Sequence, residues 1–244
     1  MFLDLPPTAS AADVELSALS SSFEERSASE ILHWAVERFA PRLAMATAFG
    51  AEGCVLIHLL AEVRDRTGKL PYLFNLETGY QFRETLETRD HLMERYGLEI
   101  HLVGARETTQ ELEARFGGPL YATDPNQCCH LRKIEPLTEV LSHHDAWISA
   151  IRREQTRDRA RAGIVERDRR FGLVKVNPLA NWTKRDVWTF ILDHDIPYNP
   201  LHDQGYPSIG CWPCTRPVGA TDDDRAGRWS GHAKTECGLH TLKP

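Results

Sequence analysis

The chain has 244 residues, of which 41% are hydrophobic and 26% are charged, a composition that suits one large folded domain and excludes general disorder. Its net charge of -6 gives no overall attraction to nucleic acid or to an anionic membrane, so an anion-binding site would have to be a local group of basic residues. No export signal and no membrane-spanning apolar stretch stands out, and we therefore expect a cytoplasmic protein.

The predicted elements alternate between helices and strands after a loose N-terminal arm at residues 1–22, which are rich in Ala, Ser and Pro. Apolar spacing predicts helices at 31–39, 54–63, 82–96 and 187–192, and strands at 43–48, 72–76, 99–103, 146–151 and 173–176. Thr183 and Asp186 form a capping-box signature ahead of the last helix. Strands separated by helices indicate an α/β fold with a mainly parallel, twisted sheet and helices on both faces.

The predicted domain covers residues 23–214, and a C-terminal segment follows at 215–244. That segment contains Pro, Gly, Asp and cysteine but little periodicity, so we expect it to be rich in loops and mobile. The six cysteines of the chain are too few for a disulfide scaffold and are better interpreted as metal ligands or reactive thiols.

Four cysteines come as two pairs, Cys128 with Cys129 and Cys211 with Cys214. Two short loops that each supply two sulfurs suit the corners of a [4Fe-4S] cube. A zinc ion also accepts four sulfurs, although adjacent cysteines chelate one metal awkwardly because their side chains diverge. A structural zinc site, a thioredoxin-like dithiol at 211 and 214, and four buried thiols remain open as alternatives.

Cys237 lies in a polar stretch near the C-terminus, with Lys234 and His240 close in sequence. Such surroundings favour a reactive thiolate, and an incidental surface thiol is the alternative. Cys54, within an apolar helical stretch, is interpreted as a core residue.

Two loops that follow predicted strands are candidate nucleotide sites. The first contains Phe49, Gly50 and Glu52 and precedes a helix whose N-terminus can bind phosphate, although glycine there can also serve only to close the turn. The second contains Thr78 and Gly79 at the end of the next strand.

Basic residues gather beside the cysteines and after a predicted strand. The candidates for anion binding are Lys133, Arg152, Arg225 and Arg228, with ordinary surface charge as the alternative for each. The arginines between 157 and 170 alternate with acidic residues and are interpreted as solvated surface.

Five motifs together resemble the assimilatory adenylyl-sulfate (APS) reductases, within the larger APS and PAPS reductase family. They are Cys128-Cys129-His130-Leu131-Arg132-Lys133, Ile151-Arg152-Arg153-Glu154-Gln155, Gly210-Cys211-Trp212-Pro213-Cys214-Thr215, Arg225-Ala226-Gly227-Arg228-Trp229 and Glu236-Cys237-Gly238-Leu239-His240. The resemblance covers about residues 42 to 240. Two loops depart from the pattern of many relatives, because Thr47-Ala48-Phe49-Gly50 replaces a serine-rich loop and Leu76-Glu77-Thr78-Gly79 replaces Leu-Asp-Thr-Gly.

The resemblance implies a Rossmann-type, adenine-nucleotide alpha-hydrolase-like fold and a [4Fe-4S] cluster on Cys128, Cys129, Cys211 and Cys214. It implies that Cys237 is catalytic and that Lys133, Arg152, Arg225 and Arg228 contact the phosphate and sulfate of the substrate. The other expected substrate contacts are Phe49, Gly50, Glu52, Thr78, Gly79 and His240.

The implied reaction is thioredoxin-dependent reduction of adenosine 5'-phosphosulfate to sulfite and AMP, through an S-sulfonate on Cys237, in sulfate assimilation and cysteine biosynthesis. With four cysteines committed to a cluster and Cys54 in the core, one thiol remains, so a second protein must supply a dithiol. We also expect a homo-oligomer. The alternatives are an enzyme that prefers the 3'-phosphorylated substrate PAPS, an ATP-splitting enzyme of the same fold, and a zinc-stabilised nucleotide-binding or redox-sensing protein.

Overall fold

A computed structural model of the chain describes residues 11–219, 223–232, 234, 236, 238 and 239. The helices are α1 (Ala11–Ser22), α2 (Ala28–Phe39), α3 (Ala51–Thr67), α4 (Arg83–Tyr96), α5 (Thr109–Phe116), α6 (Leu120–Thr123), α7 (Pro125–Cys129), α8 (Glu135–Leu141) and α9 (Lys184–Asp193). The strands are β1 (Leu43–Ala46), β2 (Tyr72–Glu77), β3 (His101–Gly104), β4 (Ala146–Ile148), β5 (Val165–Asp168) and β6 (Leu173–Val176).

The strands form one sheet in the order β3-β2-β1-β4-β6-β5. Every neighbouring pair in it is parallel except β5 and β6, which are antiparallel. The chain therefore builds the sheet outward from β1 to β3, then returns to β4 on the other side of β1. This return makes β1 and β4 the place where the strand order reverses.

Both faces of the sheet are covered, because alternate strand residues point to opposite sides. Leu43 and Met45 of β1 pack in a large apolar cluster with α2, α3 and α9, whereas Ala44 packs with Leu137 and Leu141 of α8. The prediction of a mainly parallel sheet with helices on both faces is confirmed.

Helix α3 begins at Ala51, after its N-cap Gly50 in the loop that follows β1. Most of its side chains are buried, from Ala51 to Val63, so it packs as a core helix below the sheet. Cys54 is fully buried in this helix, and burial raises the pKa of its thiol. The interpretation of Cys54 as a core residue agrees with this placement.

The N-terminal segment differs from the expected loose arm, because residues 11–22 form α1. This helix contacts β5, where the hydroxyl of Ser20 accepts a hydrogen bond from the Val165 backbone at 3.2 Å. Arg167 of β5 also pairs with Asp13 at 3.3 Å. The sequence pattern missed α1 because few of its residues are large and apolar.

Among the described residues, no helix combines the length and the apolar character needed to cross a membrane.

The capping box at the start of α9 is present as the sequence predicted. Thr183 accepts a hydrogen bond from the Asp186 backbone at 3.1 Å, and Asp186 accepts one from the Thr183 backbone at 2.8 Å. Replacing Thr183 with Ala should lower the free energy of unfolding by about 1 kcal/mol, because the first turn of the helix loses its cap. Denaturant unfolding measures the change.

The matched control for this substitution is Thr189→Ala, which changes an exposed threonine inside the same helix. Alanine has the higher helix propensity, so this variant should be unchanged or slightly more stable. Equal destabilisation of both variants would show that the cap contributes nothing specific.

Candidate active site

A cavity of about 370 Å³ opens where the carboxyl ends of β1, β2 and β4 meet. Thr47 lines it after β1, Thr78 lines it after β2, and Ser149 lines it after β4. Ligands of open parallel sheets bind in the crevice at such a reversal of strand order. The cavity is therefore the candidate active site.

The N-terminus of α3 forms one wall of this cavity through Gly50, Ala51, Glu52 and Gly53. A Cβ at Gly53 would lie 2.8 Å from Oγ1 of Thr47, so the helix approaches the strand end as closely as glycine allows. The unpaired backbone N–H groups of a helix N-terminus favour an anion at this wall.

Phe49 takes a different place from the expected substrate contact. It adopts a positive φ of 55° and its side chain is fully buried in the core below the cavity. It is not among the residues that line the cavity, because the turn directs its ring toward the apolar cluster. Gly50 and Glu52 of the same loop do line it.

Arg152 is buried in the cavity wall and held by two carboxylates. Its Nε donates to Oε1 of Glu52 at 2.8 Å, and its Nη1 donates to Glu154. Gln155 donates to the same oxygen of Glu52 at 2.9 Å. A buried guanidinium needs such partners, and here they fix its position at the end of β4.

Arg159 is a site residue that the sequence interpretation placed on the surface. It is 9% exposed and lines the cavity, where its Nη2 donates to Oε2 of Glu236 at 3.0 Å and its Nη1 to Gln155 at 2.6 Å. Its Nε is buried without a hydrogen-bond partner among the described residues. Arg159 therefore adds a cation to the cavity. The sequence did not indicate this, because arginines and acidic residues alternate in this stretch.

Arg225 and Arg228 also line the cavity and lie over one aromatic side chain. The guanidinium carbons are 5.8 and 4.5 Å from the ring centre of Trp229, which is 2% exposed, and Nζ of Lys234 is 5.4 Å from it. Each cation is attracted electrostatically to the electron-rich face of the ring. Trp229, which the sequence analysis did not select, therefore positions three cations at once.

The two cysteine pairs meet in a second, smaller cavity next to the first. Cys128, Cys129, Cys211 and Cys214 all line it. Burial and the three neighbouring thiols raise the pKa of Cys128 to about 12, and burial likewise raises the pKa of Cys214. Mutual influence of this kind requires the thiols to be close together, although the pairs are far apart in the sequence.

The local backbone explains how each pair is presented. Cys128 and Cys129 end α7, and a π-helical turn follows at His130–Ile134, an irregularity that is common at functional sites. The turn at Trp212–Cys214 is tied to the loop after β2 by the bond from the Trp212 backbone to the Tyr80 carbonyl, at 2.8 Å. Two irregular segments thus bring the pairs to one place.

The donors of the smaller cavity are four thiols. Among the described residues, no three His, Cys, Asp or Glu side chains are arranged to share a single metal ion. A cube offers four separate iron corners, so its ligands lie further apart than those of one ion, and thiolates are the ligands it takes. The four thiols of this small cavity suit a thiolate-ligated cluster, and a zinc ion also accepts four sulfurs.

Three residues, Thr78, Lys133 and Cys211, line both cavities. Oγ1 of Thr78 lies 3.3 Å from Sγ of Cys211, so the loop after β2 touches the second thiol pair directly. A ligand in the large cavity and a group held by the thiols would therefore share one wall.

Gly79 supports this wall from behind and does not line the large cavity. Its φ is +75°, and a Cβ there would lie 2.5 Å from Thr109 and 3.0 Å from Nη2 of Arg132. Arg132 is buried and donates to the Thr78 carbonyl at 2.7 Å. The glycine thus permits a close approach that holds the loop after β2.

His202 is another cavity residue that the sequence analysis missed. It lines the large cavity, its ring packs on Trp188, and burial lowers its pKa. Its Nε2 is buried without a hydrogen-bond partner among the described residues. A neutral imidazole nitrogen is thus available to a polar ligand group.

The expected catalytic Cys237 and the expected contact His240 lie outside the described residues. The described neighbours Glu236 and Leu239 line the large cavity. Of the other expected substrate contacts, Gly50, Glu52, Thr78, Lys133, Arg152, Arg225 and Arg228 line the cavity as well, and Phe49 and Gly79 do not.

Comparison with known proteins agrees with this arrangement. The model of the phosphoadenosine phosphosulfate reductase domain matches residues 42–217. The chain belongs to the phosphoadenosine phosphosulfate reductase family. An adenosine 5'-phosphosulfate reductase of Salinibacter ruber is 44% identical over 227 residues, which are 93% of this chain and 88% of the relative.

A second relative in the family is named differently. A phosphoadenosine 5'-phosphosulfate reductase of Gloeobacter violaceus is 45% identical over 228 residues, with 92% of this chain and 93% of the relative covered. The crystal structure of a phosphoadenylyl-sulfate reductase from Candida auris has a TM-score of 0.73 at 27% identity, covering 85% of this chain and 99% of that one. The family resemblance and the adenine-nucleotide alpha-hydrolase-like fold are both confirmed.

Arg152, Arg159, Arg225 and Arg228 together form the cationic wall of the large cavity. Gly210 gives a direct test of this wall. A Cβ at this position would lie 2.2 Å from Nη2 and 2.6 Å from Cζ of Arg228, so alanine must push the guanidinium aside. Gly210→Ala should weaken binding of adenosine 5'-phosphosulfate about tenfold, the effect of one lost charged hydrogen bond, near 1.4 kcal/mol. Isothermal titration calorimetry measures it.

Gly104→Ala is the matched control, because a Cβ there meets no atom within 4 Å. This variant should bind the nucleotide like the original protein. Unchanged affinity in Gly210→Ala would mean that the position of Arg228 does not matter for binding.

Proposed function

We propose that the chain reduces adenosine 5'-phosphosulfate to sulfite and AMP, with Cys237 as the nucleophile and thioredoxin as the electron donor. Membership of the family supports reduction of an adenylylated sulfate in sulfate assimilation. The observation that carries the proposal is the shared wall of Thr78, Lys133 and Cys211, which joins an arginine-lined cavity to four converging thiols.

The cavity offers complementary partners for each part of this substrate. The nucleotide would lie at the carboxyl edge of β1 and β2, with the N-terminus of α3 facing the phosphate. The sulfate would lie toward Arg225, Arg228, Lys133 and Arg152, all of which line the cavity. Arginine is suited to this role because its planar fork binds oxyanions in a bidentate manner.

The first step would be attack of the Cys237 thiolate on the sulfate sulfur. A sulfur–sulfur bond forms, the bond from sulfur to the bridging phosphate oxygen breaks, and AMP leaves with the electron pair of that bond. Two anions approach each other in this step, so cationic groups must neutralise the charge and hold the reactants in line. The arginines of the cavity would do both.

The second step would release sulfite through thioredoxin. One thioredoxin thiolate attacks the Cys237 sulfur, sulfite leaves, and a mixed disulfide forms between the two proteins. The second thioredoxin thiol then resolves that disulfide, which returns the Cys237 thiolate and leaves thioredoxin oxidised by two electrons. An external dithiol is needed because Cys54 is buried and the other four thiols face one another.

The four converging cysteines would hold a [4Fe-4S] cluster. A bound cluster would contribute its charge to the electrostatics of the shared wall. Independently of that charge, the two cysteine segments already bring Lys133 and Cys211 to the large cavity. The cluster is therefore assigned a structural and electrostatic part, and the two electrons come from thioredoxin.

The covalent step is tested by mixing the protein with adenosine 5'-phosphosulfate in the absence of thioredoxin and measuring the intact mass. The proposal predicts an adduct of one SO3 group, located on Cys237 by peptide mapping and removed by added thioredoxin. Cys237→Ser should form neither adduct nor sulfite. Normal sulfite formation by this variant would exclude the mechanism.

The cofactor is tested on protein purified without oxygen. The expected content is about four iron atoms and about four acid-labile sulfides per chain, with a visible absorption band. Cys214→Ser should lose most of this iron, whereas Cys54→Ala, which changes a core thiol away from the cavity, should retain it. Zinc in place of iron would contradict the cluster assignment.

The choice between two related nucleotides is tested by competition. Because the Gloeobacter violaceus relative is named for the 3'-phosphorylated nucleotide, both substrates must be supplied together. We expect the larger kcat/KM for adenosine 5'-phosphosulfate. A larger value for the 3'-phosphorylated form would keep the chemistry and change the substrate.

A further inference from the structure

Glu236, the residue directly before Cys237, is held by a buried ion pair. Its side chain is 4% exposed, and its Oε2 accepts hydrogen bonds from Nη2 of Arg159 at 3.0 Å and Nη2 of Arg225 at 3.2 Å. The Arg159 side chain is itself 9% exposed. Because both partners are withdrawn from water, this contact is screened far less than a surface ion pair.

The residues after Cys237 are held too. Nη1 of Arg170 donates to the carbonyl of Gly238, and Leu239 packs against the apolar cluster that contains Leu137 and Trp147. On the other side, Nζ of Lys234 donates to Oδ1 of Asn126 at 2.7 Å, beside the first cysteine pair. The chain is thus anchored before and after position 237.

Arg159 and Arg170 both come from the connection between β4 and β6, outside the C-terminal segment that they hold. Arg159 is held in turn, because its Nη1 donates to Gln155 at 2.6 Å and Gln155 donates to Glu52 at 2.9 Å. This chain of contacts reaches from the N-terminus of α3 to Glu236. It fixes the guanidinium before any substrate arrives.

We propose that Arg159 is a positioning residue, which acts through Glu236 to place the nucleophile of the proposed reaction at the cavity. The inference rests on the proposed role of Cys237. Glu236 and Gly238, the described neighbours of position 237, are both held by arginines of the connection between β4 and β6, so the restriction falls on the two residues that flank the nucleophile in the sequence. Such restriction favours an aligned attack, and small misplacements slow it strongly.

Arg159 therefore differs from Arg228, one of the arginines assigned to the substrate. Arg228 has no carboxylate partner among the ion pairs of the described residues and is available to an anion, whereas Arg159 has its terminal nitrogens on Glu236 and Gln155. Loss of a substrate contact weakens binding. Loss of a positioning contact lowers kcat with little change in KM.

The test compares Arg159→Met, Glu236→Gln and the double variant in the full-length protein purified without oxygen, with thioredoxin as donor. Arg157→Met is the matched control, because it changes an exposed arginine two residues away. We expect kcat to fall about tenfold or more in each single variant with KM within about threefold. The double variant should lose little beyond the Glu236→Gln variant, because Glu236→Gln already removes the ion pair with Arg159 as well as the one with Arg225.

A second measurement follows the segment itself. Trypsin cleavage after Lys234 removes residues 235–244, and intact mass detects the shortened chain. Release of Glu236 should speed this cleavage at least about tenfold in Arg159→Met and in Glu236→Gln, and leave it unchanged in Arg157→Met, because cleavage requires local opening. The thermal midpoint of each variant separates this effect from general unfolding.

Several results would overturn the inference. A positioning role would be excluded if both single variants kept the kcat of the unsubstituted protein. It would also be excluded if the losses in kcat added in the double variant, or if only KM changed. If Arg159→Met does not fold, the near-isosteric Glu236→Gln variant decides alone. An active Cys237→Ser protein would instead remove the proposed function, whereas an inactive Cys237→Ser with a normal Arg159→Met would remove only the positioning role.

Discussion

Charge neutralisation inside a partly buried cavity is the constraint on which the site depends. Arg152 and Arg159 are both buried, and a guanidinium taken from water without partners would be strongly destabilising. Carboxylates from distant segments compensate these charges. Glu52 of α3 pairs with Arg152, and Glu236 of the C-terminal part pairs with Arg159. Each ion pair therefore also joins two elements, and the cationic wall can exist only when the fold and the C-terminal part are assembled around it.

The same constraint explains how the cavity can accept an anion. Carboxylates compensate Arg152 and Arg159, but Nε of Arg228 is buried without a hydrogen-bond partner in the described part of the chain. A bound oxyanion would satisfy this donor at a site whose geometry is already set. Preorganised donors of this kind lose little entropy on binding and are more effective than flexible surface lysines.

Much of the fold could be predicted because its central elements carry strong patterns. Strands β2 and β6 lie within one residue of their expected bounds, and helices α2 and α9 are present but begin three residues earlier than their apolar spacing predicts. Strands β1 and β4 end earlier than the apolar runs suggested, because Thr47 and Ser149 leave the sheet to line the cavity.

The elements that were missed lack those patterns. Strand β5 has the sequence Val-Glu-Arg-Asp. Its charged residues suit an edge strand, but they give no apolar pattern from which a strand could be predicted. Helices α6, α7 and α8 are short, and their hydrophobic contacts depend on the tertiary fold.

The site could be predicted where spacing carries the chemistry and could not where tertiary contacts create it. The cysteine pairs and the arginines of the motifs were visible in the sequence, and most of the expected contacts line the cavity. Arg159 was interpreted as surface because acidic residues surround it in the sequence, yet its partner Glu236 comes from another part of the chain. Trp229 gave no signal because an aromatic residue beside two arginines predicts no particular geometry.

The two edges of the sheet are unequal, and this has a consequence for assembly. One edge ends in β5, which is antiparallel to its neighbour and is covered by α1. The other ends in β3, where Leu102 is 53% exposed and the described residues provide no further strand. Backbone groups at an uncovered edge are a template for an incoming chain, and within the described residues it is the β3 edge, not the β5 edge, that is left without a covering element.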